Sequence, residues 1–119
     1  MVTQDQLKDI SLRVSELRAY LEIDKKLIEI SDEEELTANP DFWNNPKEAE
    51  VVMKSLRFKK KWVEDYKSIV GMNEDLLILY DFYKEDEVGE KEVVEQYENA
   101  ILLLEDIEFK NMLSEEGDH

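Results

Sequence analysis

Apolar residues recur every three or four positions along most of this chain, which is the period of an amphipathic helix. The first run opens at Thr3, which can form a capping box with Gln6. The run ends near Leu36, because Pro40 disfavours helical geometry at the residue before it. The sequence therefore predicts one helix over residues 3–36. Its apolar positions are Leu7, Ile10, Val14, Leu17, Leu21, Leu27, Ile28 and Ile30, interrupted at Asp24.

A second helix is predicted over residues 46–84, with a length of about 58 Å at the usual helical rise. Asn45 is placed to cap it, and Pro46 stands at the first helical position. Gly71 is a candidate stop, but the helical period continues past it, and a glycine inside a helix costs only about 1 kcal/mol relative to alanine. A third helix is predicted over residues 90–112, after a short acidic turn.

Three amphipathic helices with short connections are typical of an all-α fold. The predicted architecture is an antiparallel three-helix bundle with long coiled-coil-like helices, formed by residues 1–113 as one domain. The remaining polar tail, residues 114–119, is expected to fray.

The stretch "ANPDFWNNPKEAE", residues 38–50, differs from the rest because it places Phe42 and Trp43 between two prolines. One interpretation is structural: the two rings form a rigid apolar plug over the open end of the bundle core, where their burial contributes a few kcal/mol. The other interpretation is that they form an aromatic pair that binds a partner. The sequence leaves both open.

The net charge of −16 is unevenly distributed along the chain. Residues 1–39 carry 5 basic and 10 acidic side chains, a net of −5. Residues 40–70 carry 7 basic and 5 acidic side chains, a net of +2, and residues 71–119 carry 3 basic and 16 acidic, a net of −13. A phosphate backbone would repel the chain as a whole, so only the middle segment could approach nucleic acid without penalty.

The basic stretch "KSLRFKKKW" is the candidate for such a contact. Lys54, Arg57 and Lys61 are spaced by three and four positions, which puts them on one face of a helix. This face can offset the negative charge of the last helix inside the protein. Alternatively, it can contact RNA or an acidic partner.

The residues that catalysis and metal binding usually require are scarce. The chain has no cysteine, and its single histidine, His119, is the last residue. Thiolate zinc sites, disulfides and internal imidazole ligands are therefore excluded, and the acidic clusters lack the ligand spacing of a calcium loop. We expect no enzyme activity, no cofactor and no metal. Neither a membrane-spanning apolar run nor a signal peptide is present, which predicts a cytoplasmic protein.

Three segments together resemble a known family. They are "LRAYLEIDKKLIEI", "NPDFWNNPKEAEVVMKSL" and "LLLEDIEFKNMLSEEGD". In this order they resemble the N-terminal domain of bacterial class I peptide chain release factors, specifically the release factor 2 family, across essentially the whole chain. The most specific blocks are "PDFW..P..A" and "LRAYL.ID.K". The release factor 1 family has a similar helical domain without the Phe-Trp block.

The resemblance implies a factor that recognises the stop codons UAA and UGA and triggers hydrolysis of peptidyl-tRNA. In the family these tasks rest on Ser-Pro-Phe and Gly-Gly-Gln motifs of later domains, and neither motif occurs in these 119 residues. The chain would then be a first domain whose tail leads to central domains that it lacks. It is either part of a longer protein or independently encoded.

The family further implies a position at the stalk base of the large ribosomal subunit, near the stalk protein L eleven and the GTPase release factor 3. The turn containing Glu85, Asp86 and Glu87 is expected to face a basic protein surface there, because its charge disfavours ribosomal RNA. The alternative to a ribosomal role is a free-standing helical adaptor or coiled-coil interaction module. A downstream reading frame with the Ser-Pro-Phe and Gly-Gly-Gln motifs would favour the termination factor.

Overall fold

The fold consists of four α-helices and one short 3-10 helix, as given by a computed structural model that describes residues 1–115. The all-α class predicted from the sequence is confirmed, and no strand occurs in this part of the chain. The helices are α1 (Gln4–Tyr20), α2 (Ile23–Thr37), α3 (Pro46–Lys84) and α4 (Glu90–Glu115), with the 3-10 helix Pro40–Asn44 between α2 and α3.

The helix starts read from the sequence are confirmed. Thr3 Oγ1 accepts a hydrogen bond from Gln6 N at 3.1 Å, and Gln6 Oε1 accepts one from Thr3 N at 2.8 Å, which completes the capping box of α1. Asn45 Oδ1 accepts a hydrogen bond from Glu48 N at 3.3 Å and so caps α3. The helix α3 continues through Gly71 without a break.

The single first helix predicted over residues 3–36 is wrong, because the chain breaks between α1 and α2. Glu22 has a φ of 50°, in the left-handed region, which a continuous helix does not contain. The buried stripe of α1 continues to Leu21, directly after the helix, and in an unbroken helix the next position facing the core would be Asp24. Because the chain breaks at Glu22, Ile23 is buried there and Asp24 stays exposed.

The helices form a three-helix body and a two-helix arm. In the body, α1 and α4 pack against each other and against the C-terminal part of α3, where the Gln96 side chain donates to Met72 O at 3.3 Å. In the arm, α2 runs along the N-terminal part of α3 and does not contact α4 within the described residues. The predicted three-helix bundle therefore applies to the body alone.

The apolar core runs through the body and extends into the arm. The molecule is elongated and measures 61 × 31 × 19 Å. The helix α4 ends at Glu115, three residues beyond its predicted end, so part of the polar tail is helical. The rest of that tail, with His119, lies outside the described residues. The most completely buried side chains are Ile10, Leu17, Leu21, Ile69, Leu76, Val93, Leu104 and Ile107.

Candidate interaction surfaces

The Phe-Trp pair lies at the end of the arm, in the 3-10 helix. Trp43 is 53% exposed and Phe42 is half-buried, so the expected buried plug is wrong for the indole. The two rings meet edge to face with 4.9 Å between their centroids. Trp43 Nε1 donates to Thr37 O at 3.3 Å. The 3-10 helix is too short to turn both rings inward, and the indole is held in place while remaining accessible.

The three basic residues singled out in the sequence share an exposed side of α3. Lys54 pairs with Glu50 at 3.1 Å, and Lys61 pairs with Asp65 at 2.9 Å, each one turn away on the same helix. The hydrogen bond that Lys61 donates to Asp65 raises the pKa of Lys61. Arg57 is exposed and forms no ion pair within residues 1–115. Within the described residues these side chains form no ion pair with the last helix, although the charge of Asp106 on that helix also raises the pKa of Lys61. Their proposed contact with a partner stays a prediction.

Charge compensation between helices comes instead from two neighbouring lysines that face α2. Lys59 Nζ lies 3.0 Å from Glu33 Oε1 and 3.7 Å from Glu29 Oε2, and Ser55 Oγ donates to the same Glu33 oxygen at 2.7 Å. Lys60 pairs with Glu34 at 2.8 Å in a more exposed position. The acidic stretch "SDEEE" thus neutralises part of the basic stretch, through pairs with α2 that the sequence pattern did not indicate.

The Glu33 contact is partly buried and incompletely satisfied. Its side chain is 15% exposed and that of Lys59 is 19% exposed. Glu33 Oε2 is buried and has no hydrogen-bond partner among the described residues. Because a buried carboxylate that loses its cation is costly, this network fixes how α2 lies on α3.

The acidic turn lies at the opposite end of the molecule from the Phe-Trp pair, next to the amino terminus. The Met1 amino group lies 3.6 Å from Glu90, the first residue of α4. Glu85, Asp86 and Glu87 are all exposed and form no ion pair within residues 1–115. Asp86 has a φ of 58°, which turns the chain sharply after α3. The turn therefore presents three exposed carboxylates that form no ion pair within the described residues, and its contact with a basic protein surface stays a prediction.

A salt bridge joins the two outer helices of the body. Arg13 Nη2 lies 2.6 Å from Glu108 Oε1, and Arg13 Nε donates to Glu108 Oε2 at 3.1 Å. This bidentate contact, supported by Asp9, raises the pKa of Arg13 and keeps it charged. The two partners are 95 positions apart in sequence. No periodicity could have paired them.

The junction of α1 and α2 is stabilised by Lys26. Its ammonium group donates to Leu21 O, one of the carbonyl groups left unpaired where α1 ends. Burial lowers the pKa of Lys26, although the nearby Glu22 acts in the opposite direction. On the exposed side, Arg18 donates to Asp24 at 2.8 Å across the same junction. The interruption at Asp24 was the sequence signal for this break.

The main concave regions among residues 1–115 are open depressions. In the same part of the chain, no group of three or more histidine and carboxylate side chains is arranged to hold a metal ion. None of the described helices combines the length and the apolar character that a membrane crossing requires.

Similarity to known proteins is consistent over nearly the whole chain. The chain is 31% identical to peptide chain release factor 2 of Acidovorax sp. (strain JS42) over 94% of its length. It is 29% identical to the protein of the same name from Nautilia profundicola over 94%, and 30% identical to that of Haemophilus influenzae over 97%. No family model and no solved structure matches the chain.

The matched relatives are much longer proteins. The chain spans 31% of the length of the Acidovorax and Nautilia proteins and 32% of that of the Haemophilus protein. The resemblance to the release factor 2 family is thereby confirmed as a similarity that covers 94% to 97% of the chain.

Proposed function

We propose that this chain, which is 31% identical to a bacterial peptide chain release factor 2 over 94% of its length, is an N-terminal accessory domain of a translation termination factor. The homology carries this proposal. The whole factor would act in the cytoplasm on ribosomes stopped at UAA or UGA. Because the Ser-Pro-Phe and Gly-Gly-Gln motifs do not occur in this sequence, we assign it neither decoding nor peptidyl-tRNA hydrolysis.

The proposed role of this domain is to contact the stalk base of the large ribosomal subunit and release factor 3. Its surface supports contacts with macromolecules, since the described residues form no enclosed ligand site. The acidic turn supports a protein contact in particular. The exposed carboxylates of Glu85, Asp86 and Glu87 form no ion pair within residues 1–115, and a basic protein surface would supply cations to pair with them.

Binding of the 119-residue chain to purified bacterial large ribosomal subunits tests this proposal. We expect measurable binding that weakens when the stalk-base protein is removed from the subunits. Reversing the turn, with Glu85→Lys, Asp86→Lys and Glu87→Lys together, should weaken binding at least tenfold, which corresponds to about 1.4 kcal/mol.

A matched control keeps the change in net charge but moves it elsewhere. Asp32, Glu98 and Glu105 are exposed and form no ion pair within residues 1–115. Reversing these three to lysine adds the same positive charge away from the turn, so it should preserve or strengthen binding to the negatively charged ribosome. No binding of the parent chain would contradict the proposed function. Equal effects of both triple variants would contradict the role of the turn.

A further inference from the structure

Within the described residues, no other helix covers the outward side of α3 next to the acidic turn. Ile78 is 53% exposed and Phe82, one turn further on, is 45% exposed. Glu74 and Asp75 are exposed one turn before Ile78 and form no ion pair within the described residues. Gly71 lies one turn before them, on the same side by its spacing. We call these five residues the α3 outer strip.

Gly71 has no reason within the fold to be glycine. It lies inside a 39-residue helix, and a Cβ built on it would meet no atom within 4 Å. A glycine inside a helix destabilises it relative to alanine, because glycine loses more backbone freedom on folding. No turn, bulge or internal contact requires it here. What a glycine does provide on an exposed helix face is room for another backbone to approach closely.

The charge around the strip restricts what could approach. Residues 71–87 contain 6 acidic side chains and 1 basic side chain, a net of −5. A phosphate backbone would be repelled by this surface. A second copy of the chain would be repelled as well, since each copy carries a net charge of −16. The complementary surface is a basic one.

We propose that the α3 outer strip docks a basic amphipathic helix of a large-subunit protein. The inference rests on the proposed function and extends the contact from the turn along α3. Apolar side chains of the partner pack on Ile78 and Phe82, and its lysines or arginines pair with Glu74, Asp75 and the turn. Its backbone crosses α3 near Gly71. The strip is about 17 Å long, which matches three turns of a partner helix.

The first test compares two exposed phenylalanines on different helices. Phe82 is on the strip, whereas Phe109, 55% exposed, lies on the outer face of α4. With purified bacterial large subunits as the probe, Phe82→Ser should raise the dissociation constant at least tenfold, and Phe109→Ser should leave it within about twofold of the parent. Similar constants for the two variants would overturn the strip, and the proposed function would stand if the parent binds.

The second test separates stability from binding at Gly71. Gly71→Ala should raise the midpoint of urea unfolding, because the new methyl group meets no atom within 4 Å. The same variant should weaken binding to large subunits several-fold, since the methyl group stands where the partner backbone passes. A stabilised variant that binds as tightly as the parent would overturn the close approach.

The nature of the partner is tested by a photocrosslinking amino acid at position 78. The expected product on large subunits joins the chain to a ribosomal protein. A product with ribosomal RNA alone, or a crosslinked pair of these chains, would overturn the proposed occupant. If the parent chain does not bind the subunits at all, both this inference and the proposed function fail.

Discussion

Ser11 of α1 and Asn73 of α3 form hydrogen bonds to each other across the body of the molecule. Ser11 Oγ lies 3.3 Å from both Oδ1 and Nδ2 of Asn73. Asn73 is 9% exposed and is the buried polar residue of an otherwise apolar core. A polar pair in such a place favours one alignment of the two helices, because sliding either helix would leave both groups unpaired.

Asn73→Ala should reduce the free energy of unfolding by about 1–3 kcal/mol, since it leaves the Ser11 hydroxyl without its partner and opens a small cavity. Asn99→Ala, on an exposed position of α4, is the control and should be nearly neutral. Urea unfolding of both variants measures the difference. The double variant Ser11→Ala with Asn73→Leu should recover most of the loss, because no polar group then remains unpaired. A double variant as unstable as Asn73→Ala alone would contradict this account.

Trp43→Ala should lower the free energy of unfolding by less than about 1 kcal/mol, as is usual for an exposed side chain. The indole is 53% exposed, and the change removes its contact with Phe42 and one hydrogen bond to Thr37 O. Leu104→Ala, in the fully buried core, is the comparison and should cost about 2–5 kcal/mol. Chemical denaturation of both variants measures these two losses of unfolding free energy. A Trp43→Ala loss as large as that of Leu104→Ala would restore the plug interpretation.

Lys59→Met should destabilise the protein by about 1–3 kcal/mol, because it leaves the carboxylate of Glu33 without its nearest cation in a partly buried place. The neighbouring Lys60→Met is the matched control. Its partner Glu34 is 50% exposed, so the loss should stay below about 1 kcal/mol. If urea unfolding shows the same loss of unfolding free energy for both variants, the burial of the Glu33 network does not contribute to stability.

Stability should increase with pH in the alkaline range through Lys26. Its pKa in the folded protein is lowered by burial from the ordinary value of 10.5. Between the folded and the unfolded pKa, the unfolded state binds more protons, so the free energy of unfolding rises with pH there. The cost of holding this side chain charged is present in full below the folded pKa.

The free energy of unfolding, measured from neutral pH up to pH 10.5, should therefore have a more positive pH slope in the parent than in the variant Lys26→Met, which lacks the titrating group. The variant also lacks the hydrogen bond to Leu21 O. Its stability at neutral pH therefore reflects both the loss of this bond and the loss of the buried charge. The same pH slope in both proteins would contradict the assignment to Lys26.

The sequence by itself determined the class of the fold and most of the helix boundaries. Each helix start depends on residues close to it in sequence. Thr3 forms its capping box with Gln6, and Asn45 caps α3 through Glu48, with Pro46 between them. The interactions are local, so the local sequence fixes them. The apolar period likewise predicted the continuous helix through Gly71. Three segments, among them the "PDFW" block, indicated the resemblance to the release factor 2 family, which the similarity over 94% of the chain confirmed.

The tertiary structure decided how the helices align and which side chains remain outside. The break at Glu22 exists because α1 and α2 each bury their own apolar stripe, and one unbroken helix would turn Asp24 towards the core. The pairing of Lys59 with Glu33 and of Arg13 with Glu108 depends on which helices become neighbours. The exposure of Trp43 depends on how the 3-10 helix that carries it packs against the arm. These features join residues far apart in sequence, so they are set only when the helices pack.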